Sequence, residues 1–92
     1  MRLLDLTPRS RKYLADLPAK QFRQLVTKIF GLLDEPLPPD ARPLKGFSYH
    51  RADSGEYRII YRFDDQSVRI VLIGKRNDAA ASKELQRLGT DA

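Results

Sequence analysis

The stretch that decides the fold is Tyr49-His50-Arg51-Ala52-Asp53-Ser54-Gly55-Glu56-Tyr57-Arg58-Ile59-Ile60-Tyr61-Arg62. From Tyr57 onward, successive residues point to alternate faces of a β-strand, so Tyr57, Ile59 and Tyr61 share one face. Ser54-Gly55 is a suitable two-residue turn, because glycine readily adopts the positive φ that such turns require. The stretch therefore predicts a β-hairpin.

The register of this hairpin raises the first question about function. With Ser54-Gly55 as the turn, Arg51 is expected opposite Arg58, and Asp53 opposite Glu56. Like charges directly opposite one another are destabilising. One interpretation is therefore that this face is built to bind an anion. In the other interpretation, Asp53 and Glu56 neutralise the arginines diagonally and the face is an ordinary solvated one. The hairpin alone leaves both interpretations open.

Length and composition limit the possible classes of protein. A chain of 92 residues predicts a single domain, residues 1–92, with one modest core. The chain has no cysteine and one histidine, His50, which excludes disulfides and predicts neither a metal site nor a cofactor. The longest apolar run, residues 70–73, is too short to cross a bilayer. We therefore expect a cytoplasmic protein without a membrane anchor.

The charge balance favours acidic partners. The net charge is +5, from 17 Lys plus Arg against 12 Asp plus Glu. Such a charge favours nucleic acid or an acidic protein. Arginine outnumbers lysine, which suits bidentate contacts to phosphate.

The remaining segments predict the rest of the architecture. The apolar pattern and the turn signals predict a short strand at Arg2–Leu6, helices at 8–17 and 19–33, and a proline-rich connector at 35–43. After the first strand of the hairpin they predict two further strands, at 56–63 and 68–73. A last helix is predicted from Asn77 or Asp78 onward. Thr7 caps the first helix and Pro8 occupies its first position. The order is β-α-α-β-β-β-α.

This order predicts an α+β fold in which an antiparallel sheet is covered on one face by a helical hairpin. The helices should cover the face of Tyr57, Ile59 and Tyr61. The opposite face should be basic and concave, with the following cations on it or near its rim: Arg51, Arg58, Arg62, Lys75 and Arg76.

The chemistry that the sequence offers is electrostatic. No glycine-rich phosphate loop, nucleophilic triad or carboxylate pair is present. Arginines can hold a phosphate and stabilise the charge of its transition state. His50 falls on the face opposite Arg51, which favours a structural edge histidine. Tyr49 shares the face of Arg51 and is interpreted either as a base-stacking residue or as an ordinary sheet residue.

Three motifs in this layout resemble one family. Leu44-Lys45-Gly46, the run from Gly55 to Tyr61 and the run from Ile73 to Asp78 are similar to those of the RelE/ParE superfamily of bacterial toxins. The resemblance implies a toxin of a type II toxin–antitoxin module with a cognate antitoxin as partner. It implies either a ribosome-dependent mRNA endonuclease, with ribosome and mRNA as partners, or a ParE-like protein that inhibits DNA gyrase without being an enzyme.

The resemblance also implies roles for residues. Arg58 and Arg76 match catalytic arginines of RelE-type enzymes. Arg51 falls near the lysines that those enzymes carry on the first hairpin strand, so it is expected to be the third catalytic residue. The resemblance and the positive charge together predict that four further residues bind nucleic acid: Lys45, Arg62, Lys75 and Tyr49.

One departure from the family pattern leaves the chemistry open. RelE-type enzymes often carry a tyrosine in the last helix, where this chain has Ser82. A serine hydroxyl is a poor acid, so cleavage is expected to be slow, to use His50 or Tyr49, or to be absent. A third interpretation is a plain RNA-binding domain, but the extra first strand and first helix argue against it.

Overall fold

The computed structural model describes residues 1–44 and 49–76. Within these ranges the strands and helices occur in the following order: β1 Leu3–Leu6, α1 Pro8–Ala15, α2 Ala19–Asp34, β2 Arg42–Pro43, β3 His50–Ser54, β4 Tyr57–Phe63 and β5 Ser67–Lys75. The last helix expected from the sequence, with Ser82, and the predicted binding residue Lys45 lie outside the described residues.

Local sequence signals place the two helices as expected. Thr7 caps α1, because its Oγ1 accepts a hydrogen bond from the backbone N–H of Ser10 at 3.2 Å, and Pro8 occupies the first turn. Helix α1 ends at Ala15, two residues earlier than predicted. Helix α2 buries the following apolar stripe against the sheet: Leu25, Ile29, Leu32 and Leu33.

The sheet has five strands in the order β1-β5-β4-β3-β2. The predicted α+β class, with a helical hairpin on one face, is confirmed. Two details differ from the prediction. The sheet is mixed, because β1 runs parallel to β5. The connector also contributes a short edge strand, Arg42–Pro43, which pairs with β3, and proline is tolerated there because an edge strand has unpaired N–H positions.

The hairpin forms with a register two residues away from the predicted one. Its central turn residues are Gly55 and Glu56, because Ser54 pairs with Tyr57. Gly55 has φ +60° and no non-glycine residue among those described has positive φ, as in a type II′ turn. The prediction that Arg51 lies opposite Arg58 is therefore wrong, since Asp53 takes that position. A shift of two residues leaves every side chain on its predicted face.

A β-bulge interrupts the pairing of β4 with β5. Ile60 pairs with Leu72 and Tyr61 pairs with Ile70, so Val71 is an extra residue in β5. As a result, Val71 and Leu72 pack in the same cluster on one face of the sheet, although they are neighbours in sequence.

Apolar residues are buried on both faces of the sheet. The main core lies between α1, α2 and the sheet and includes Leu25, Ile59 and Tyr61. A second cluster, on the opposite face, has the following members: Tyr49, Ile60, Val71 and Leu72, with Leu44 packed against it. The face predicted to be basic is therefore apolar in its middle.

Side-chain hydrogen bonds also bind the proline-rich connector to the rest of the fold. The Tyr61 hydroxyl donates to the Pro36 carbonyl at 2.6 Å. Lys28 Nζ donates to Asp40 Oδ1 at 2.8 Å, and the Asp53 N–H donates to Asp40 Oδ2 at 3.1 Å. Asp40 thus joins α2 to the strand that carries Asp53. No helix among residues 1–44 and 49–76 is long and apolar enough to cross a membrane.

Candidate functional site: an arginine face

The sheet face opposite α1 and α2 collects arginines, and we call it the arginine face. Cross-strand partners share a face, so the pairings Arg42–Arg51, Asp53–Arg58, Arg62–Arg69 and Asp5–Arg69 place five arginines and two aspartates there. The side chain of Arg76 joins them through its contact with Asp53. The described part of this face therefore carries six arginines and two aspartates.

Three of these arginines surround one carboxylate at the hairpin end of the sheet. Arg58 Nε donates to Asp53 Oδ1 at 3.1 Å. Arg76 Nε lies 3.5 Å from Asp53 Oδ2, and Arg51 Nη1 lies 3.8 Å from the same oxygen. We call Arg51, Asp53, Arg58 and Arg76 the Asp53 cluster. The three residues that sequence reasoning proposed as catalytic are thus brought together in one place.

The hairpin turn fixes the position of Arg76. The backbone N–H of Arg76 donates to the Glu56 carbonyl at 2.9 Å, and its Nη1 donates to the Gly55 carbonyl at 3.4 Å. Gln24 of α2 packs against the turn so closely that a Cβ on Gly55 would lie 2.3 Å from Gln24 Nε2. Gly55, which lacks a side chain, therefore contacts both Gln24 of α2 and the guanidinium of Arg76.

The Asp53 cluster is positively charged and accessible. The side chains of Arg51, Arg58 and Arg76 are 32%, 33% and 49% exposed, and that of Asp53 is 24% exposed. Each guanidinium has five N–H donors, and Asp53 occupies only a few of them. The cluster therefore keeps free donors and an excess of two positive charges, which suits a phosphate group.

A second pair of arginines lies at the other end of the arginine face. Arg62 is directly opposite Arg69, which is the kind of like-charge pair that the sequence had suggested for Arg51 and Arg58. Arg62 is four residues from Arg58, or about 13 Å along the strand, so it does not join the Asp53 cluster. Asp5 pairs with Arg69, and these side chains line a cleft of about 260 Å³.

Asp64 also lines that cleft and balances its charge. Its carboxylate accepts hydrogen bonds from the backbone N–H groups of Gln66 and Ser67, each at 2.8 Å. These bonds lower the pKa of Asp64 and keep it negative. Two arginines and two carboxylates leave this cleft without a net charge, so the Asp53 cluster is the stronger anion site.

Sequence reasoning missed Arg42 as a member of the arginine face. Arg42 lies directly opposite Arg51, and its Nη1 donates to the carbonyls of Pro39 and Ala41 at 2.9 and 2.8 Å. The surrounding prolines concealed it, because they indicate a connector rather than a strand. The signal that could have indicated an edge strand was the short distance in sequence between Pro43 and the start of the hairpin.

Two other predicted binding residues lie away from the cluster. Lys75 pairs with Tyr57, whose side chain belongs to the core under the helices, so Lys75 and Arg76 point to opposite sides of the sheet. Tyr49 is only 6% exposed and packs in the second apolar cluster. Its burial argues against base stacking, and its role stays a prediction.

His50 lies on the helix side of the sheet, as its parity indicated. Its ring centroid is 5.4 Å from that of Phe63 and 6.0 Å from that of Tyr61. Its Nδ1 is buried and has no hydrogen-bond partner among the described residues. His50 is therefore a packing residue on the face opposite the Asp53 cluster. Residues 1–44 and 49–76 contain no group of three His, Asp or Glu side chains that could hold a metal ion.

An apolar groove lies on the helical side of the molecule, and we call it the helix groove. It has a volume of about 350 Å³ and runs between β1 and the two helices, with Leu4, Phe22, Val26 and Phe30 among its lining residues. Phe22 and Phe30 are 40% and 55% exposed. Arg11 lies at the same groove, so a cation borders an apolar surface.

Comparison with known proteins identifies relatives of this fold and this chain. Residues 4–80 match the family model described as ParE toxin of the type II toxin–antitoxin system, parDE. A search of curated protein sequences found no match.

Solved toxin–antitoxin structures are similar over most of the chain. A chain of the RelBE2 complex from Mycobacterium tuberculosis is 30% identical with a TM-score of 0.71, and the match covers 82% of this chain and 98% of that one. A chain of the RelE–RelB complex from Pyrococcus horikoshii is 27% identical with a TM-score of 0.71, covering 85% and 98%. A mutant of Escherichia coli RelE in the free state shares the fold, with a TM-score of 0.76, 21% identity and coverage of 95% and 97%.

Proposed function

The chain belongs to the RelE/ParE superfamily of toxins from type II toxin–antitoxin systems, and we propose that it acts as a ribosome-dependent endonuclease that cuts messenger RNA. The observation that carries this proposal is the convergence of Arg51, Arg58 and Arg76 on one point of the arginine face. An exposed group of guanidiniums is suited to stabilise the charge that develops on a phosphodiester during cleavage.

The proposed roles of the three arginines are those that the resemblance to RelE-type enzymes implies, and the positions of the arginines are compatible with these roles. Arg58 is the most tightly held, at 3.1 Å from Asp53, and it stabilises the transition-state phosphate. Arg76 is the most exposed, at 49%, and it holds the scissile or a flanking phosphate. Arg51 positions the RNA strand from the neighbouring β-strand. The attacking group is the 2′-hydroxyl of the RNA, and the ribosome presents the message in the required geometry.

Cleavage on translating ribosomes tests this proposal. Purified toxin should produce cuts in phase with codons, and Arg58→Ala should reduce the rate at least about a hundredfold, which is typical for loss of one transition-state donor. Arg62→Ala is the matched control, because Arg62 lies on the same strand and the same face but outside the Asp53 cluster. It should slow cleavage much less. Equal losses in both variants would argue against a special role of the cluster.

A second candidate function is inhibition of DNA gyrase without catalysis. The description of the family model names ParE toxins, whereas the solved structures described above are of RelE-type systems and support the endonuclease. The two functions differ in the first response of a cell that expresses the toxin. Intact messages together with stalled gyrase complexes would overturn the endonuclease proposal in favour of this alternative.

We also propose a cognate antitoxin as the partner of this chain in the cytoplasm. Related structures contain toxin–antitoxin complexes named RelBE2 and RelE–RelB. The helix groove offers an apolar surface with exposed Phe22 and Phe30 and with Arg11 beside it. An acidic amphipathic segment complements both the apolar surface and the positive charge of the toxin.

Binding measurements with the antitoxin encoded beside the toxin would test this site. Phe30→Asp should weaken the complex at least about tenfold, because it places a charge in the apolar groove. Leu37→Asp is the control, since Leu37 is equally exposed, at 54%, but lies outside the groove. Equal affinity of Phe30→Asp and wild type would exclude the helix groove as the docking site.

A further inference from the structure

We propose that Asp53 is an internal competitor for the anion site: its carboxylate lies where a phosphate group would contact Arg51, Arg58 and Arg76, and it lowers the affinity of the toxin for RNA. This inference deepens the proposed function and rests on the same cluster. It assigns a role to a residue that opposes binding, whereas the arginines favour it.

The geometry of the carboxylate supports this assignment. Both oxygens of Asp53 face guanidinium groups, with Oδ1 3.1 Å from Arg58 Nε and Oδ2 3.5 and 3.8 Å from Arg76 Nε and Arg51 Nη1. The three guanidiniums come from β3, from β4 and from Arg76, the residue directly after β5. The carboxylate of Asp53 lies between them. A phosphate that binds all three arginines must approach this same centre.

The strength of the contacts indicates that the carboxylate can be displaced. Only the contact with Arg58, at 3.1 Å, falls within the usual range of a hydrogen bond, and the other two are longer. All four side chains are between 24% and 49% exposed, and ion pairs at such sites are weak because solvent screens them. An incoming phosphate therefore replaces the weak contacts between Asp53 and the arginines with its own contacts to the same arginines.

The backbone holds Asp53 in place during that exchange. The Asp53 N–H donates to Asp40 Oδ2 at 3.1 Å, and Ala52, the residue before it, is completely buried. The carboxylate therefore stays beside the bound phosphate, and like charges at this distance repel each other. Asp53 thus weakens anion binding whether or not its ion pairs persist.

The substitution Asp53→Asn tests this role, because asparagine has the same shape without the charge. Inorganic phosphate is titrated into the purified toxin while the arginine Nε–H signals are followed by NMR. A short 2′-O-methyl RNA, which cannot be cut, serves as the second probe. The variant should bind both about three- to tenfold more tightly than wild type. Its affinity for the RNA should also fall more steeply with salt, because one more cation is uncompensated.

Asp5→Asn is the matched control, since Asp5 also pairs with an arginine on this face, Arg69, but lies outside the cluster. It changes the net charge equally and should alter the affinity less than about twofold. Equal gains in both variants would show a general charge effect and overturn the proposal. Weaker binding by Asp53→Asn, in a variant with unchanged thermal stability, would also overturn it and would make Asp53 an organiser of the arginines.

The outcome is distinguishable from failure of the proposed function. Phosphate and RNA affinities are measured without ribosomes. A gain in affinity in a toxin that cuts no message on the ribosome would support the role of Asp53 and refute the endonuclease.

Discussion

Asp53 lies directly opposite Arg58 in the β-hairpin, and its Oδ1 accepts a hydrogen bond from Arg58 Nε at 3.1 Å. A cross-strand pair of opposite charges usually stabilises a sheet. Here two more arginines share the same carboxylate, so the pair is part of a cluster with excess positive charge. The contribution of the Asp53–Arg58 pair to the stability of the fold can be measured separately from the contribution of the cluster to anion binding.

The coupling between Asp53 and Arg58 should contribute little to stability. The two side chains are 24% and 33% exposed, and exposed pairs typically contribute less than about 1 kcal/mol. A double-mutant cycle with Asp53→Asn and Arg58→Gln, measured by urea unfolding, should give a coupling free energy near 0.5 kcal/mol. A coupling above about 2 kcal/mol would mean that the pair is mainly structural.

Gly55→Ala should destabilise the fold and disturb Arg76. Gly55 has φ +60°, which costs a residue with a Cβ about 1–2 kcal/mol, and the added atom would force Gln24 to move. The measurement is the free energy of unfolding together with the NMR signal of Arg76 Nε–H. Gly31→Ala is the control, because nothing lies within 4 Å of its Cβ position. It should stabilise α2 by about 0.5–1 kcal/mol, and the prediction fails if both variants behave alike.

Tyr61→Phe should change the response to alkaline pH. Burial, with a smaller effect of Asp40, raises the pKa of Tyr61 to about 12, whereas an unfolded tyrosine ionises near pH 10. Only the unfolded chain loses this proton between pH 10 and 12. The free energy of unfolding should therefore fall over that interval, by at most about 3 kcal/mol.

The phenylalanine variant lacks this titration and also lacks the hydrogen bond to Pro36. It should lose about 1 kcal/mol at pH 7 and then show a flatter profile above pH 10 than wild type. A steep alkaline slope in Tyr61→Phe would assign the titration to another group.

Asp40→Asn should weaken the attachment of the connector. The hydrogen bond from Lys28 is the main cause of a lowered pKa at Asp40, so the folded state favours the carboxylate. This stabilisation is present above the unfolded pKa near 4 and is lost as the pH falls through the lower folded pKa. Because the Asp40 side chain is 40% exposed, the expected loss at pH 7 is only about 1 kcal/mol.

Unfolding of Asp40→Asn at several acid pH values checks this expectation. The variant should lose stability less steeply than wild type below pH 4. Asp65→Asn, which removes the same charge at an exposed position in the turn before β5, is the matched control. Identical profiles for wild type and Asp40→Asn would contradict the role of the Lys28 contact.

Alternation in the sequence predicted the faces of the strands but could not determine their pairing. Both Ser54-Gly55 and Gly55-Glu56 are acceptable two-residue turns, because each places Gly55 at a central position. The two registers differ by two residues and place every side chain on the same face. The choice requires long-range packing, such as that of Gln24 against Gly55, which a local pattern does not contain.

Other features depend on contacts between distant segments. The parallel pairing of β1 with β5 joins residues more than 60 positions apart, and the edge strand at Pro43 forms only because β3 lies beside it. The same limit applies to the site. Charge and motif indicated Arg51, Arg58 and Arg76, but only the structure shows that they share Asp53.

The bulge at Val71 determines on which side of the sheet Arg76 lies. Along a regular strand, Ile70, Leu72, Gly74 and Arg76 would all point the same way, and Ile70 faces the helices. The extra residue reverses this alternation once, so that Leu72 faces away from the helices and Arg76 reaches Asp53. The bulge thus reverses the alternation of the strand, and the same sequence paired as a regular strand, with Val71 in the ladder, would direct Arg76 away from the arginines that it now joins.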